Sequence, residues 1–176
     1  MTEPTASATP TNTGTVQRLR EDLIHPDPLL DCLIEVCRLH GQAASRASLS
    51  AGLPLDAQNG GKLTLDLAER AAARAGMSAR LQRVTLDRVD SALLPAILVL
   101  KDNHACVLLG WDTAEDGPPQ ARLLMPETGQ GSVSLPRDEL LARYAGVTLF
   151  VRPHFRFDAR TPEVRKPADS EARDAA

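Results

Sequence analysis

The sequence has few aromatic residues, no excess of positive charge and no long apolar run. Of its 176 residues, one is tryptophan, one tyrosine and three phenylalanine, so Leu, Val and Ala must fill any core. Twenty Lys and Arg residues against 23 Asp and Glu residues give a formal charge of -3, which argues against a nucleic-acid partner. No apolar run approaches the roughly 18 residues of a membrane span, so we expect no membrane insertion by this chain.

Cysteine and targeting signals are also sparse. The three cysteines, Cys32, Cys37 and Cys106, cannot all pair, and no CxxC motif is present. This usage is typical of a reduced, cytoplasmic chain. The first fourteen residues are rich in Thr, Ser and Pro and lack the basic start and apolar stretch of a secretory signal. No Walker motif and no repeated Cys or His spacing occurs, so we expect neither ATP nor a metal or cofactor to bind.

The composition changes near both ends and suggests one domain between two polar segments. Residues 1–18 are low in hydrophobicity and are predicted to be disordered. Residues 19–157 contain the apolar patterns and are predicted to fold as a single domain. Residues 158–176 are polar again and are interpreted as a linker or tail.

Within that domain, helical patterns come first and strand patterns follow, which is the order of an α+β fold. Asp27 and Pro28 form a helix start, and Gly41 a helix stop. Two apolar runs around the polar turn Lys101-Asp102-Asn103 predict a hairpin that is buried on both faces. The helices are predicted over 28–40, 45–51, 64–75 and 136–144, and the strands over 78–84, 95–100, 105–111, 121–125, 132–135 and 147–152.

Few residues in these elements point to chemistry by themselves. The three cysteines fall in apolar helix or strand patterns, which favours small buried side chains over reactive thiols. His104 opens a buried strand directly after a turn, where a histidine either faces a cleft or is exposed without a role. Trp111, near the end of the same strand, is interpreted as core or strand-end packing.

The order of these motifs resembles the cytoplasmic N-terminal domain of bacterial ABC exporters. The resemblance rests on the helix ending in LHG, the PAILVLKDNHACVLL hairpin, the PETG turn and the closing helix and strand. In bacteriocin exporters this domain is a papain-like cysteine peptidase that removes a double-glycine leader, and in type I secretion systems it is often degenerate. The stretches HPDPLLDCLIEVCRLHG (25–41) and FVRPHFRFDARTPEVR (150–165) are most similar to LapB-type exporters of giant repeat-containing adhesins. The implied architecture has N-terminal helices packed on a mostly antiparallel sheet.

The resemblance also assigns positions to the peptidase machinery, three of which have lost their groups. Counting back from Gly41 places Pro28 at the nucleophile, and Asp22 stands where the oxyanion glutamine belongs. His104 keeps the general base, while Met125 replaces the aspartate that orients it. Cys32 lies one helical turn, about 6 Å, beyond Pro28, which is too far for a substitute nucleophile.

The expected function is therefore non-catalytic. The resemblance implies a domain on the cytoplasmic side of the bacterial inner membrane that docks unfolded repeat-containing cargo before export. Its other partners would be the membrane and nucleotide-binding domains of an exporter that is dimeric as a whole. The contacts expected around the vestigial cleft are His104, Trp111, Met125, Pro126 and Glu127, although a distant surface is equally open. The alternatives are a structural or regulatory domain that gates the ATPase, and an active leader peptidase.

Overall fold

The computed structural model describes residues 27–113 and 115–155, which contain four α-helices and six strands. The helices are α1 (Pro28–Leu39), α2 (Arg46–Ser50), α3 (Leu65–Arg74) and α4 (Arg137–Arg143). The strands are β1 (Met77–Arg83), β2 (Ala96–Leu100), β3 (Ala105–Asp112), β4 (Gln120–Met125), β5 (Gln130–Pro136) and β6 (Tyr144–Pro153). The predicted domain boundaries, and Asp22, lie outside the described residues.

The central helix, α1, begins and ends at the residues that the sequence predicts. The Asp27 side chain accepts a hydrogen bond from the amide of Leu30 at 3.2 Å, and Pro28 is the first helical residue. At the other end Gly41 adopts a left-handed φ of 73°, which glycine tolerates without steric cost. Its amide bonds the carbonyl of Arg38 at 3.0 Å, so the chain leaves the helix through a tight turn.

The six strands form one antiparallel sheet in the order β1-β6-β2-β3-β4-β5. The last strand, β6, lies between β1 and β2 and so joins the first part of the domain to the last. Strand β1 forms one edge of the sheet, and β5 forms the other. The buried β2–β3 hairpin lies in the middle, as its apolar runs predict.

The sheet separates two hydrophobic cores, one on each face. Helix α1 packs on β2 and β3, and α3 packs on β1, so the first core lies between these helices and the sheet. The second core lies on the opposite face. The largest side chains of the first core include Leu33, Leu49, Met77, Ile97 and Leu149, and those of the second include Leu86, Leu98, Leu108, Leu123 and Leu140.

Strand β3 contains an irregularity that changes which face its side chains occupy. Its pairing with β4 shifts between Leu108 and Gly110, which leaves one extra residue on β3. Leu108 and Trp111 therefore both pack with the second core, although strict alternation would place them on opposite faces. Beyond this bulge the alternation is shifted by one residue, so Trp111 lies on the face of the sheet opposite α1.

The architecture confirms the α+β prediction of helices packed on an antiparallel sheet. The observed elements agree with the predicted ones to within a few residues, and the helices come before most of the sheet. Among the described residues, none of the helices combines the length and apolar character needed to cross a membrane.

Two neighbouring leucines of α4 offer a direct test of this packing. Leu140 is fully buried in the second core, whereas Leu141 is 49% exposed. We expect Leu140→Ala to lower the free energy of unfolding by about 2–5 kcal/mol, because it removes buried apolar contacts and leaves a cavity. Leu141→Ala should change it by about 0.5 kcal/mol or less. Urea denaturation of both variants measures the difference, and equal losses would contradict the position of α4.

Candidate functional site

A cavity of about 300 Å³ lies between the start of α1 and the turn of the β2–β3 hairpin. Pro28 and His104, which the family resemblance assigns to the nucleophile and general-base positions, both line it. The segment before α3 contributes Lys62 and Thr64 to the wall. The fold therefore brings together two positions that are 76 residues apart in the chain.

The hairpin turn holds His104 at the rim of this cavity. Asp102 and Asn103 both adopt left-handed backbone angles, with φ of 61° and 59°. Asp and Asn tolerate this region better than most residues, although it remains costly for a side chain. The amide of Leu100 donates to the carbonyl of His104 at 2.8 Å and closes the turn. The His104 side chain stays 56% exposed.

A carboxylate orients the His104 ring. Oε2 of Glu127 lies 2.9 Å from Nδ1 of His104, and the Glu127 side chain is only 23% exposed. An ionised carboxylate can only accept, so Nδ1 carries the proton and donates it. In the neutral ring this leaves Nε2 as the basic nitrogen, which is the tautomer of a histidine prepared to take a proton.

The expectation that no carboxylate orients His104, based on Met125, is therefore wrong. Met125 packs against the second core instead, and Glu127 supplies the carboxylate two residues later. The turn between them is fixed locally: the Thr128 hydroxyl donates to the Met125 carbonyl at 2.9 Å. The amide of Gly129 bonds the carbonyl of Pro126 at 3.2 Å. An alignment that places Met125 opposite the aspartate of a D-P turn does not show that the carboxylate lies two residues further along the chain.

The start of α1 offers no nucleophile to this histidine–carboxylate pair. Pro28 is buried at the first helical position and carries only a hydrocarbon ring. Beside it, the carboxylate of Asp27 accepts from the amide of Leu30 and, at 2.7 Å, from the amide of Leu63. Asp27 is only 5% exposed. It joins α1 to the segment before α3, a contact that the capping pattern alone did not predict.

The thiols of the chain are buried away from solvent. Cys32 and Cys106 are fully buried. Burial raises the pKa of Cys32 well above its usual range, and the nearby Cys106 and Asp31 raise it further. Burial raises the pKa of Cys106 to about 12. Both thiols are therefore protonated near neutral pH, and the thiolate is the reactive form.

The side of α1 that faces the Pro126–Thr128 turn is acidic. Asp31 bonds Arg46 of α2 at 2.6 Å. Burial raises the pKa of Asp31; Arg46 lowers it, while Asp27 and Glu127 raise it through their charges.

Among the described residues, no group of three or more His, Cys, Asp or Glu side chains could hold a metal ion.

The structure brings some of the five predicted cleft residues together and places the others elsewhere. It joins His104 to Glu127 and places Pro126 in the same turn, which packs against α1. Of the five, only His104 is among the residues that line the cavity; Glu127 bonds its ring, and Trp111 and Met125 pack with the second core. For Trp111 the cause is the β3 bulge, which moves its side chain to the opposite face of the sheet.

This arrangement matches a solved domain with substantial sequence identity. The N-terminal peptidase C39-like domain of the toxin secretion ATP-binding protein from Vibrio parahaemolyticus is 40% identical, with a TM-score of 0.65. The match covers 73% of this chain and 98% of that domain. The chain belongs to the peptidase C39-like domain family. The helix start, the histidine hairpin and the sheet described above are thus those of a peptidase C39-like domain.

More distant structures share the fold of this peptidase C39-like domain. A double glycine motif protease from an AMS/PCAT transporter, in complex with its leader peptide, is 19% identical with a TM-score of 0.57, covering 74% of this chain and 87% of that one. The peptidase domain of Streptococcus ComA is 18% identical with a TM-score of 0.54, covering 72% and 91%. No family model and no curated protein matches the sequence.

The double contact of Asp27 should contribute strongly to stability. Asp27→Ala leaves the buried amides of Leu30 and Leu63 without their acceptor, so we expect a loss of about 2–4 kcal/mol in the free energy of unfolding. As a matched control, Asp90→Ala removes an exposed carboxylate that accepts only from the amide of Ala92, and should cost about 1 kcal/mol or less. Urea denaturation compares the two, and a loss for Asp27→Ala no larger than the control contradicts the bridge.

The buried thiols predict slow chemical modification. At pH 8 we expect iodoacetamide to label Cys32 and Cys106 at least about a hundredfold more slowly in the folded chain than in urea, because thiolate must form first. Since burial raises the pKa of both thiols above their ordinary value of 9.0, their contribution to stability is complete below about pH 9. It is lost as the pH rises further. Mass spectrometry of each site provides the measurement, and rapid labelling of folded Cys32 contradicts it.

Proposed function

We propose that this domain is a non-catalytic docking module of a type I secretion ABC exporter. It binds unfolded, repeat-containing adhesin or toxin cargo at the cytoplasmic face of the inner membrane before translocation. The observation that carries the proposal is the proline at the start of α1, on the wall of the cavity that His104 also lines. Acyl transfer by a cysteine peptidase needs a thiolate within about 3 Å of the carbonyl, and Pro28 provides none.

Three further features support docking. The 40% identical relative is a domain of a toxin secretion protein, which supports an export system for this chain. The cavity persists without a nucleophile, and its wall includes His104, which is held by Glu127 and is able to contact a peptide backbone. An unfolded chain pays ordering entropy when it binds, so a shallow, partly polar site favours the weak and reversible contact that export requires.

An active leader peptidase is the enzyme alternative, and the His104–Glu127 pair is the feature that favours it. The thiol nearest in sequence to the helix start, Cys32, is fully buried with a raised pKa. Cys32 belongs to the first core, and it is not among the residues that line the cavity with His104.

A gating role is the second alternative. In that case the domain controls the nucleotide-binding domains of the transporter without contacting cargo. Deleting it should then alter ATP hydrolysis while cargo affinity stays the same. The docking proposal expects the opposite pattern, with cargo affinity lost.

Two measurements on the whole chain test the proposal. Incubation with a double-glycine leader peptide should give no cleavage by mass spectrometry, and Cys32→Ala should change nothing. Titration of the labelled domain with the C-terminal secretion region of the cognate adhesin should shift a contiguous set of amide resonances. Cleavage that stops in Cys32→Ala establishes the peptidase, and an absence of shifts at millimolar cargo rules out docking.

A further inference from the structure

We infer that the free edge of β1 binds an extended acidic protein segment as a seventh strand of the sheet. The inference rests on the proposed docking function for the source of that segment, which is cargo. It concerns a surface at the opposite end of the strand order from β4 and β5, whose connecting turn holds Glu127.

The hydrogen-bonding register shows which backbone groups of β1 face outward. The carbonyl of Gly76 accepts from the amide of His154, and the amide of Val84 bonds the carbonyl of Gly146. Both contacts continue the β1–β6 pairing, so even-numbered residues of β1 face β6. The amides and carbonyls of Ala79, Leu81 and Arg83 therefore face away from the sheet. Within residues 27–113 and 115–155 these groups pair with no other strand.

This edge lacks features that usually prevent pairing. The seven residues of β1 contain no proline or glycine, and their register with β6 is unbroken. The other edge, β5, contains Gly131, ends at Pro136 and has an irregular register with β4. Natural sheets protect exposed edges with proline, bulges and charge, and β1 uses charge alone. A continuous unpaired edge with two arginines is open to a strand of opposite charge.

The side chains of β1 define what such a strand must present. Ala79, Leu81 and Arg83 lie on the face that carries the helices, and Leu81 remains 39% exposed. The other face of β1 presents Ser78, Arg80 and Gln82. An added strand of simple alternation therefore places apolar residues on the face of Leu81 and acidic residues on the face of Arg80, the arginine that faces away from the helices.

Charge argues for an acidic occupant. Strands β1 and β6 together contain Arg80, Arg83 and Arg152 and no carboxylate. Arg80 and Arg83 are exposed, and neither forms an ion pair with any described residue. A second copy paired through β1 would bring two further arginines onto the same strand pair, which is unfavourable.

The undescribed ends of this chain do not have the composition of such a segment. Residues 156–176 contain five basic and five acidic residues, and residues 1–26 contain two basic and three acidic ones. Neither end carries the acidic excess that Arg80 and Arg83 call for, so a different chain is the better match.

Hydrogen exchange on the full 176-residue chain provides the first test. We expect the amides of Ala79, Leu81 and Arg83 to exchange rapidly, and those of Arg80 and Gln82 to be protected by β6. A synthetic seven-residue peptide in which valine alternates with glutamate should slow exchange at the outward amides and shift their resonances. Protection of these amides before peptide is added shows that the edge is already occupied, and overturns the inference.

Charge and backbone variants provide the second test. The peptide with lysine in place of glutamate should bind at least about threefold more weakly, and the difference should shrink at high salt. Arg80→Glu should weaken the glutamate peptide about threefold to tenfold. Arg38→Glu, the same charge change on α1, should have little effect. Equal binding of both peptides, or equal effects of both variants, contradicts the inference.

Leu81→Pro removes one outward amide without removing a bond to β6, and proline is tolerated at such edge positions. It should abolish peptide binding while the thermal midpoint shows a folded domain. Should this variant fail to fold, Arg80→Glu and the exchange pattern still decide the question. Binding of the secretion region that survives both β1 variants keeps the docking function but removes this edge from it. Peptide binding to β1 without any binding of the secretion region keeps this edge as a binding site but contradicts the docking function.

Discussion

The site depends on one buried carboxylate that joins two separate parts of the chain. Asp27 bonds the amide of Leu30 inside α1 and the amide of Leu63 in the segment before α3. Each bond alone is an ordinary cap or loop contact, worth about 1 kcal/mol. Together they fix the position from which Pro28 and Leu63 face the hairpin turn. The cavity therefore keeps its walls, although Pro28, the first residue of α1, carries no reactive group.

At the opposite wall, His104 has a carboxylate partner, Glu127, that the family resemblance did not imply. In catalytic arrangements a histidine that is held by a carboxylate through Nδ1 is the part that transfers protons. Proton transfer without a nucleophile or a bound water in the right place breaks no bond, so the His104–Glu127 pair by itself defines no reaction. What it does provide is a fixed polar group, His104, in the wall of a cavity whose other lining residues are both polar and apolar.

Local chemistry made much of this fold predictable, and non-local pairing made the rest unpredictable. The Asp27–Pro28 start and the Gly41 stop depend on residues within one turn of each other, and both are observed. The side on which Trp111 lies depends on one extra residue in β3, which no alternation of apolar residues can reveal. The role of Glu127 was missed for a similar reason: turn geometry, not sequence position, decides which carboxylate reaches the histidine. The position of β6 between β1 and β2 joins segments more than 60 residues apart, and was not predicted.

The same sheet order explains why the domain has two separate candidate binding surfaces. The cavity lies between the start of α1, the segment before α3 and the turn of the β2–β3 hairpin, and its polar lining includes Lys62, Thr64 and His104. Because β6 lies between β1 and β2, β1 is at the edge of the sheet. Its outward-facing amides and carbonyls therefore pair with no other described strand. The cavity suits a few residues of a peptide, whereas the edge suits a longer extended segment recognised through its backbone and charge. An unfolded chain that engaged both would bind more tightly than either contact allows, since the second contact becomes intramolecular.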